Sequence, residues 1–282
     1  DRLAASNPLD ATAIWSLEGP ALDFLGTAPV GASDLAFGTA GLSVFQTISQ
    51  TWALLARDDA RVLAAGDHTG QMNAEAAVSG DGASFAVYNG TTDIEVWRGK
   101  AAFGDVPSNA VARTTISSGL GMAMSADGSL VATQADGRVE VADVQGRQQT
   151  PESPVVLDGA GPVDGQAASA LAFGGNRYVV SATGGTALLW DLRQYNRFGR
   201  SFDVPVPSGC GSCGPAVAEV SPDGSRLLLW ASGGFEGGPV VVDLASGETT
   251  TVGGDVGLSL DALTWQGDDR LVGYSSTDQA LV

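Results

Sequence analysis

The sequence predicts an all-β chain, built as a β-propeller of about seven four-stranded antiparallel blades, with the first and last blades incomplete. Three observations predict it. First, the glycines Gly41, Gly82, Gly128, Gly175, Gly224 and Gly267 stand at turns and are separated by 41, 46, 47, 49 and 43 residues. A repeat in the forties carrying about four short strands is the length of one propeller blade. Second, the turns share a chemistry: Ser-Gly-Asp-Gly at 79–82, Ser-Ala-Asp-Gly at 125–128 and Ser-Pro-Asp-Gly at 221–224. A β-sandwich also spaces its strands regularly, without repeating one turn so often. Third, the chain carries 39 glycines and few apolar patterns of helical period, which favours short strands and many turns over helices.

Residues 216–244 show one unit at its clearest. Residues 216–220 run into Ser221-Pro222-Asp223-Gly224, where proline presets φ and glycine supplies a positive one. An apolar strand follows at 226–230, then the glycine-rich stretch 232–238, then a third strand at 240–244. Such a meander has two apolar faces and cannot bury both alone, so it needs copies of itself on either side.

The rest of the chain supplies those copies. Residues 2–6, 12–17 and 21–26 read as three strands of an opening unit without a first strand. The second unit runs through 34–37, 42–49, 52–57 and 61–65, with Asp58-Asp59 as a hairpin turn. The phase chosen for this unit keeps the next turn signal, at 79–82, a full repeat away. The third unit has strands at 75–78, 84–88 and 93–97. The fourth has them at 121–124, 130–133 and 138–144. The fifth has them at 168–173, 178–182 and 186–192. The seventh has 260–265, 271–274 and 279–282, so it lacks an outermost strand.

Composition bounds the function. At 282 residues and 44% hydrophobic content, the chain has ample material for a core. Thirty-two acidic residues against 14 basic ones give a net charge of −18. That balance opposes binding to nucleic acid or to an anionic membrane surface, and suits a solvated acidic exterior or a basic partner. No apolar run approaches the ~18 residues of a membrane span. No basic-then-apolar leader opens the sequence. Lys100 sits outside any phosphate-loop frame. His68 is the one histidine, so nucleophile–histidine pairs are confined to a single site. Paired carboxylates such as Asp58-Asp59 and Asp268-Asp269 read as hairpin turns, and none is singled out as an acid–base pair.

The residues also carry a family resemblance. Trp190-Asp191 matches the dipeptide that names the WD40 repeat; Ala142-Asp143 and Val242-Asp243 keep its aspartate; Trp15-Ser16 and Trp97-Arg98 keep its tryptophan. The Ser-x-Asp-Gly turns match the family's turn after the innermost strand. Over nearly its whole length the chain resembles a degenerate WD40-repeat β-propeller. The Gly-His dipeptide of the family is missing, and His68 stands outside its frame. The resemblance implies one propeller spanning 1–282 that serves as a module of a longer bacterial protein, of the kind attached to signalling NTPases or protein kinases. It implies a non-catalytic protein-interaction, sensor or scaffold role with protein partners, no cofactor and a cytoplasmic location. Two other readings stay open: a propeller hydrolase or lyase working with channel carboxylates, and a secreted ligand-binding propeller.

Candidate contact residues follow from where the loops emerge. His68, Asn89 and the pair Phe235 and Glu236 fall in loops on one predicted face. Phe235, an aromatic between glycines, suits either packing onto its own blade or anchoring a partner. Cys210 and Cys213, in Cys-Gly-Ser-Cys, lack a second ligand pair for zinc and lack the helix start of a redox motif. They read as a thiol pair or a small local disulfide.

Overall fold

The computed structural model describes residues 2–6, 11–16, 23–29, 34–37, 41–46, 51–67, 76–81, 83–88, 93–98, 112–115, 121–135, 138–144, 155–157, 170–183, 186–193, 199–203, 217–221, 223–230, 238–252, 262–266, 269–275 and 280–281. Their regular structure is all strand. The first sheet has three strands, β1 (Arg2–Ser6), β2 (Thr12–Ser16) and β3 (Asp23–Ala28). Five four-stranded sheets follow. The second holds β4 (Asp34–Phe37), β5 (Leu42–Gln46), β6 (Thr51–Leu55) and β7 (Val62–Asp67). The third holds β8 (Ala76–Val78), β9 (Ser84–Tyr88), β10 (Asp93–Arg98) and β11 (Ala112–Thr115). The fourth holds β12 (Gly121–Met124), β13 (Leu130–Ala135), β14 (Arg138–Asp143) and β15 (Val155–Leu157). The fifth holds β16 (Ala170–Gly174), β17 (Tyr178–Thr183), β18 (Thr186–Asp191) and β19 (Arg200–Asp203). The sixth holds β20 (Val217–Val220), β21 (Arg226–Trp230), β22 (Val240–Asp243) and β23 (Thr249–Thr251). The seventh is three-stranded: β24 (Ala262–Gln266), β25 (Arg270–Ser275) and β26 (Ala280–Leu281). Strand order follows chain order in every sheet, so each is an antiparallel meander.

The chain forms two compact units. One comprises Asp1–Ser118, Met122–Val131 and Ala142–Pro154; the other comprises Gly119–Gly121, Ala132–Val141 and Val155–Val282. In the first unit, Ile14 and Ala28 pack with Leu42, Val44, Ala53 and Leu55, joining the first two sheets. Trp52 meets Phe85 across 6.1 Å between ring centres. Ala77, Ala86, Ile94 and Val96 pack with Met122, Met124 and Val131. In the second unit, Val180, Leu189 and Phe202 pack with Ala218, Leu227, Leu229 and Val242. Leu228 and Trp230 pack with Leu263, Trp265 and Leu271. The unbroken run Leu227–Leu228–Leu229–Trp230 has this cause. Odd and even positions of a strand face opposite sides, and the sixth sheet buries both, Leu227 and Leu229 toward the fifth sheet, Leu228 and Trp230 toward the seventh.

The recurring turn is held by one hydrogen-bond pattern. Ser79, Ser125 and Ser221 each donate their hydroxyl to the aspartate two residues on, at 2.6, 3.1 and 2.6 Å. Each serine oxygen also accepts a backbone N–H five residues on, at 2.9 Å in all three. The glycine closes the turn with positive φ, 65° at Gly128 and 73° at Gly224. The aspartates that end third strands act as caps: Asp243 accepts the N–H groups of Ala245 and Ser246, and Asp191 accepts that of Arg193. This gives the Trp-Asp and Val-Asp pattern a local reason, since a carboxylate can cap the turn that follows.

The second unit's phase agrees with the sheet, with Asp58 and Asp59 in the turn between β6 and β7. The fourth strands β11, β15, β19 and β23 carried no clear sequence signal. Thr249, Thr250 and Thr251 of β23 are all exposed, so no apolar alternation marks it. Strand β3 continues past the predicted end at 26 to Ala28; residues 21 and 22 of the predicted strand lie outside the described residues. Among the described residues, no helix is long and apolar enough to cross a membrane.

Candidate interaction site at one end of the sixth sheet

Within a meander, the start of the first strand and the end of the second lie at the same end of the sheet. In the sixth sheet, Val217 pairs with Trp230, so segments 204–216 and 231–237 adjoin that end. These segments carry Cys210, Cys213, Phe235 and Glu236, which lie outside the described residues. In the third sheet, Ala76 pairs with Val87, and segments 68–75 and 89–92 adjoin one end in the same way. His68 and Asn89 lie in those segments, also outside the described residues. The third and sixth sheets belong to different units, and each end is described by itself.

In the middle of the sixth sheet, one residue pair from the Ser221 turn and two from the Val217–Trp230 end, lies a carboxylate. Glu219 sits on β20 directly opposite Leu228 of β21, so it shares a face with Leu228 and Trp230. That face packs on the seventh sheet. The Thr264 hydroxyl donates to Glu219 Oε2 at 2.9 Å, and the Trp265 indole N–H donates to the Glu219 carbonyl at 3.3 Å. Burial pushes the carboxyl up from the ordinary glutamate range, while the Thr264 hydroxyl and the Trp265 backbone N–H pull the other way. The residue as a whole is half-buried, and its carboxyl group is the buried part.

Aligning the sheets on their turns shows how unusual this residue is. Ala77 pairs with Ala86 and Ala172 with Val180, at the same distance from the turn as Glu219 from its own. Ala123 holds that place in the fourth sheet, two residues before Ser125. Thr264, which holds the place in the seventh sheet, is the residue that hydrogen-bonds Glu219. A glutamate where sister repeats carry alanine was therefore legible once the turns were aligned. The ninth residue after the turn serine carries a buried side-chain N–H in two sheets. Gln134 is 4% exposed and its Oε1 accepts from Ser181 at 2.8 Å. Trp230, also 4% exposed, stands at the matching place. The Gln134 Nε2 and Trp230 Nε1 groups have no acceptor among the described residues.

The turn end uses its charges internally. The Ser221 hydroxyl, the Ser225 N–H and the Ser225 hydroxyl hold the Asp223 carboxyl down to about 2. The Arg177 Nε–H is shared between both Asp191 carboxylate oxygens at 3.0 Å and Nη2 donates to Oδ2; the guanidinium lies over the Tyr178 ring and holds the Asp191 carboxyl below its usual range. Among the described residues, no group of three or more His, Cys, Asp or Glu side chains is placed to hold a metal ion. No protein-family model matches the chain, and no curated protein sequence is significantly similar to it.

Proposed function

We propose that the chain is a single β-propeller of about seven blades, of the WD40 type, and that it works as a non-catalytic protein-interaction or sensor module of a larger protein. The fold reading is supported by the run of four-stranded meanders whose faces pack in chain order within each unit, and by the turn they share. The functional reading rests on one observation, the Val217–Trp230 pair. It joins two glycine-rich segments, 204–216 and 231–237, the first also carrying prolines, to one end of a rigid sheet, the arrangement in which a scaffold presents binding loops. The net charge of −18 favours a basic protein partner over nucleic acid.

The test is capture of partners by the full chain against Phe235→Ala and Glu236→Lys variants, each checked for an unchanged melting temperature. Loss of capture at unchanged stability supports the site. Undiminished capture by both variants moves the contact surface away from this end.

A further inference from the structure

We infer that the last strands of the first and second sheets, β3 and β7, form a docking surface for a short apolar segment with basic flanks on a protein partner. The surface lies in the first unit, so it stands independently of the sixth-sheet reading. Three observations meet there. Phe24, Val62 and Leu63 are 59%, 39% and 45% exposed, whereas the last strands of the fifth and sixth sheets expose Arg200, Ser201 and the run Thr249–Thr251. The other large apolar residue exposed among the described ones, Val252, stands just past β23. Each strand also carries a bulge here. Leu25 is the extra residue between the Ile14–Gly26 and Trp15–Phe24 pairs, and Leu63 is the extra residue between the Leu54–Ala64 and Leu55–Val62 pairs. Leu25 packs onto the core shared by the two sheets, while Phe24 stays outside, edge-on to Trp15 at 6.1 Å between ring centres. Finally, the turn that leads into β7 holds Ala60, buried and at φ 57°, a left-handed conformation that L-residues avoid. Bulges and strain of this kind gather where a protein aims side chains at a ligand or partner.

The two strands are neighbours. A Cβ on Gly26 would run into the Asp59 carbonyl and lie 3.5 Å from the Ala60 Cβ. Phe24 and Val62 are each two residues from that contact, so their backbones lie within about 20 Å, the reach of roughly six extended residues. A bulged edge resists pairing with a further strand, so side chains rather than backbone groups carry the contact. Charge selects the occupant. The exposed charges beside the patch are Asp23, Asp58 and Asp59 against Arg57 and Arg61, and Arg61 lies 3.6 Å from Asp59. At a net charge of −18, a second copy of the chain is repelled, and a segment with lysine or arginine beside its apolar residues is drawn in.

The experiment titrates the full chain with the peptide acetyl-Lys-Leu-Ala-Val-Leu-Lys-amide. Its controls are an acidic twin with glutamate at both ends and a polar twin with serine for leucine and threonine for valine. Binding is read by calorimetry and by tryptophan fluorescence, since Trp15 touches Phe24. Saturable binding of the basic apolar peptide is expected in the millimolar range, about what so small and flexible a ligand supplies. The acidic twin binds at least about tenfold more weakly, and the polar twin does not bind. Phe24→Ser and Leu63→Ser, each checked for an unchanged melting temperature, weaken binding by about fivefold or more. If either variant is unstable, Val62→Thr, which exchanges one exposed methyl for a hydroxyl, weakens it in the same sense. Equal binding of the acidic twin, binding unchanged in the variants, or no saturable binding overturns the inference. Binding lost in Phe235→Ala but intact in Phe24→Ser places the peptide at the sixth sheet and overturns it too. A dimer in sedimentation that Phe24→Ser dissolves assigns the patch to a second copy, and likewise overturns it.

Discussion

Gly174 gives the sharpest test of how neighbouring sheets pack. A Cβ at this position lies 2.7, 2.8 and 3.0 Å from Cγ1, Cβ and Cγ2 of Val220, so β16 and β20 approach more closely than two side chains permit. Its φ is not in the left-handed region, so alanine is sterically acceptable to the backbone and the cost is overlap alone. Overpacking of this kind costs about 1–3 kcal/mol, offset by about 0.5 kcal/mol from the stiffer unfolded chain. Gly174→Ala is therefore destabilising by about 0.5–2.5 kcal/mol, the net of those two terms. Val220→Ala removes two of the three clashing atoms at the loss of two half-buried methyl groups, about 1 kcal/mol. In the double variant the overlap with the two methyl groups is relieved while the Cβ of residue 220, at 2.8 Å, remains, so the two costs sum to less than their parts by up to about 1 kcal/mol. Urea unfolding, with midpoints compared at constant slope, measures this cycle. Additivity within about 0.5 kcal/mol, or a neutral Gly174→Ala, refutes the close approach of these sheets.

Other predictions concern the two ends of the sixth sheet. Glu219 has a folded-state pKa raised above its unfolded value, so the fold favours its protonated form. Its penalty is absent below the ordinary glutamate value and grows as pH rises through the raised one. Glu219→Gln therefore raises the melting temperature at pH 7, and the gain vanishes below about pH 4. At the turn, Ser221 is 1% exposed and its oxygen accepts the Arg226 N–H at 2.9 Å. Ser221→Ala leaves that donor unpaired and costs about 1–3 kcal/mol in urea unfolding. Asp223 is depressed, so it stabilises above the ordinary carboxylate value of 3.8 and loses that contribution as pH falls toward about 2. Melting temperatures of the natural chain and Asp223→Asn should converge across that interval.

Much of this architecture was written in local chemistry. The Ser-x-Asp-Gly turns were legible because serine, aspartate and glycine each have one job there: hydroxyl bridge, N–H acceptor and positive φ. The run Leu227–Trp230 was legible as a strand buried on both faces. Strand β23 was not, because Thr249, Thr250 and Thr251 are exposed, and pairing to β22 leaves no hydrophobic period in the sequence. Glu219 was missed for a different reason. In Ala-Val-Ala-Glu-Val it looks like the outward residue of an alternating strand, whereas both faces of the sixth sheet are covered. Its meaning depends on Thr264, 45 residues away, and contacts at that separation are invisible to local pattern. Trp230 and Gln134 read as ordinary core and strand-end residues until their buried N–H groups are followed to their surroundings.

The proposed docking of a protein partner at the end of the sixth sheet where Val217 meets Trp230 is open to direct measurement. Hydrogen–deuterium exchange of the full chain, with and without a captured partner, reads this directly. Slowed exchange is expected to concentrate in peptides covering 204–220 and 230–239, with the Ser-x-Asp-Gly turns at 79–84, 125–130 and 221–226 unchanged. Protection confined to those turns, or to the exposed edge at 249–252, contradicts it.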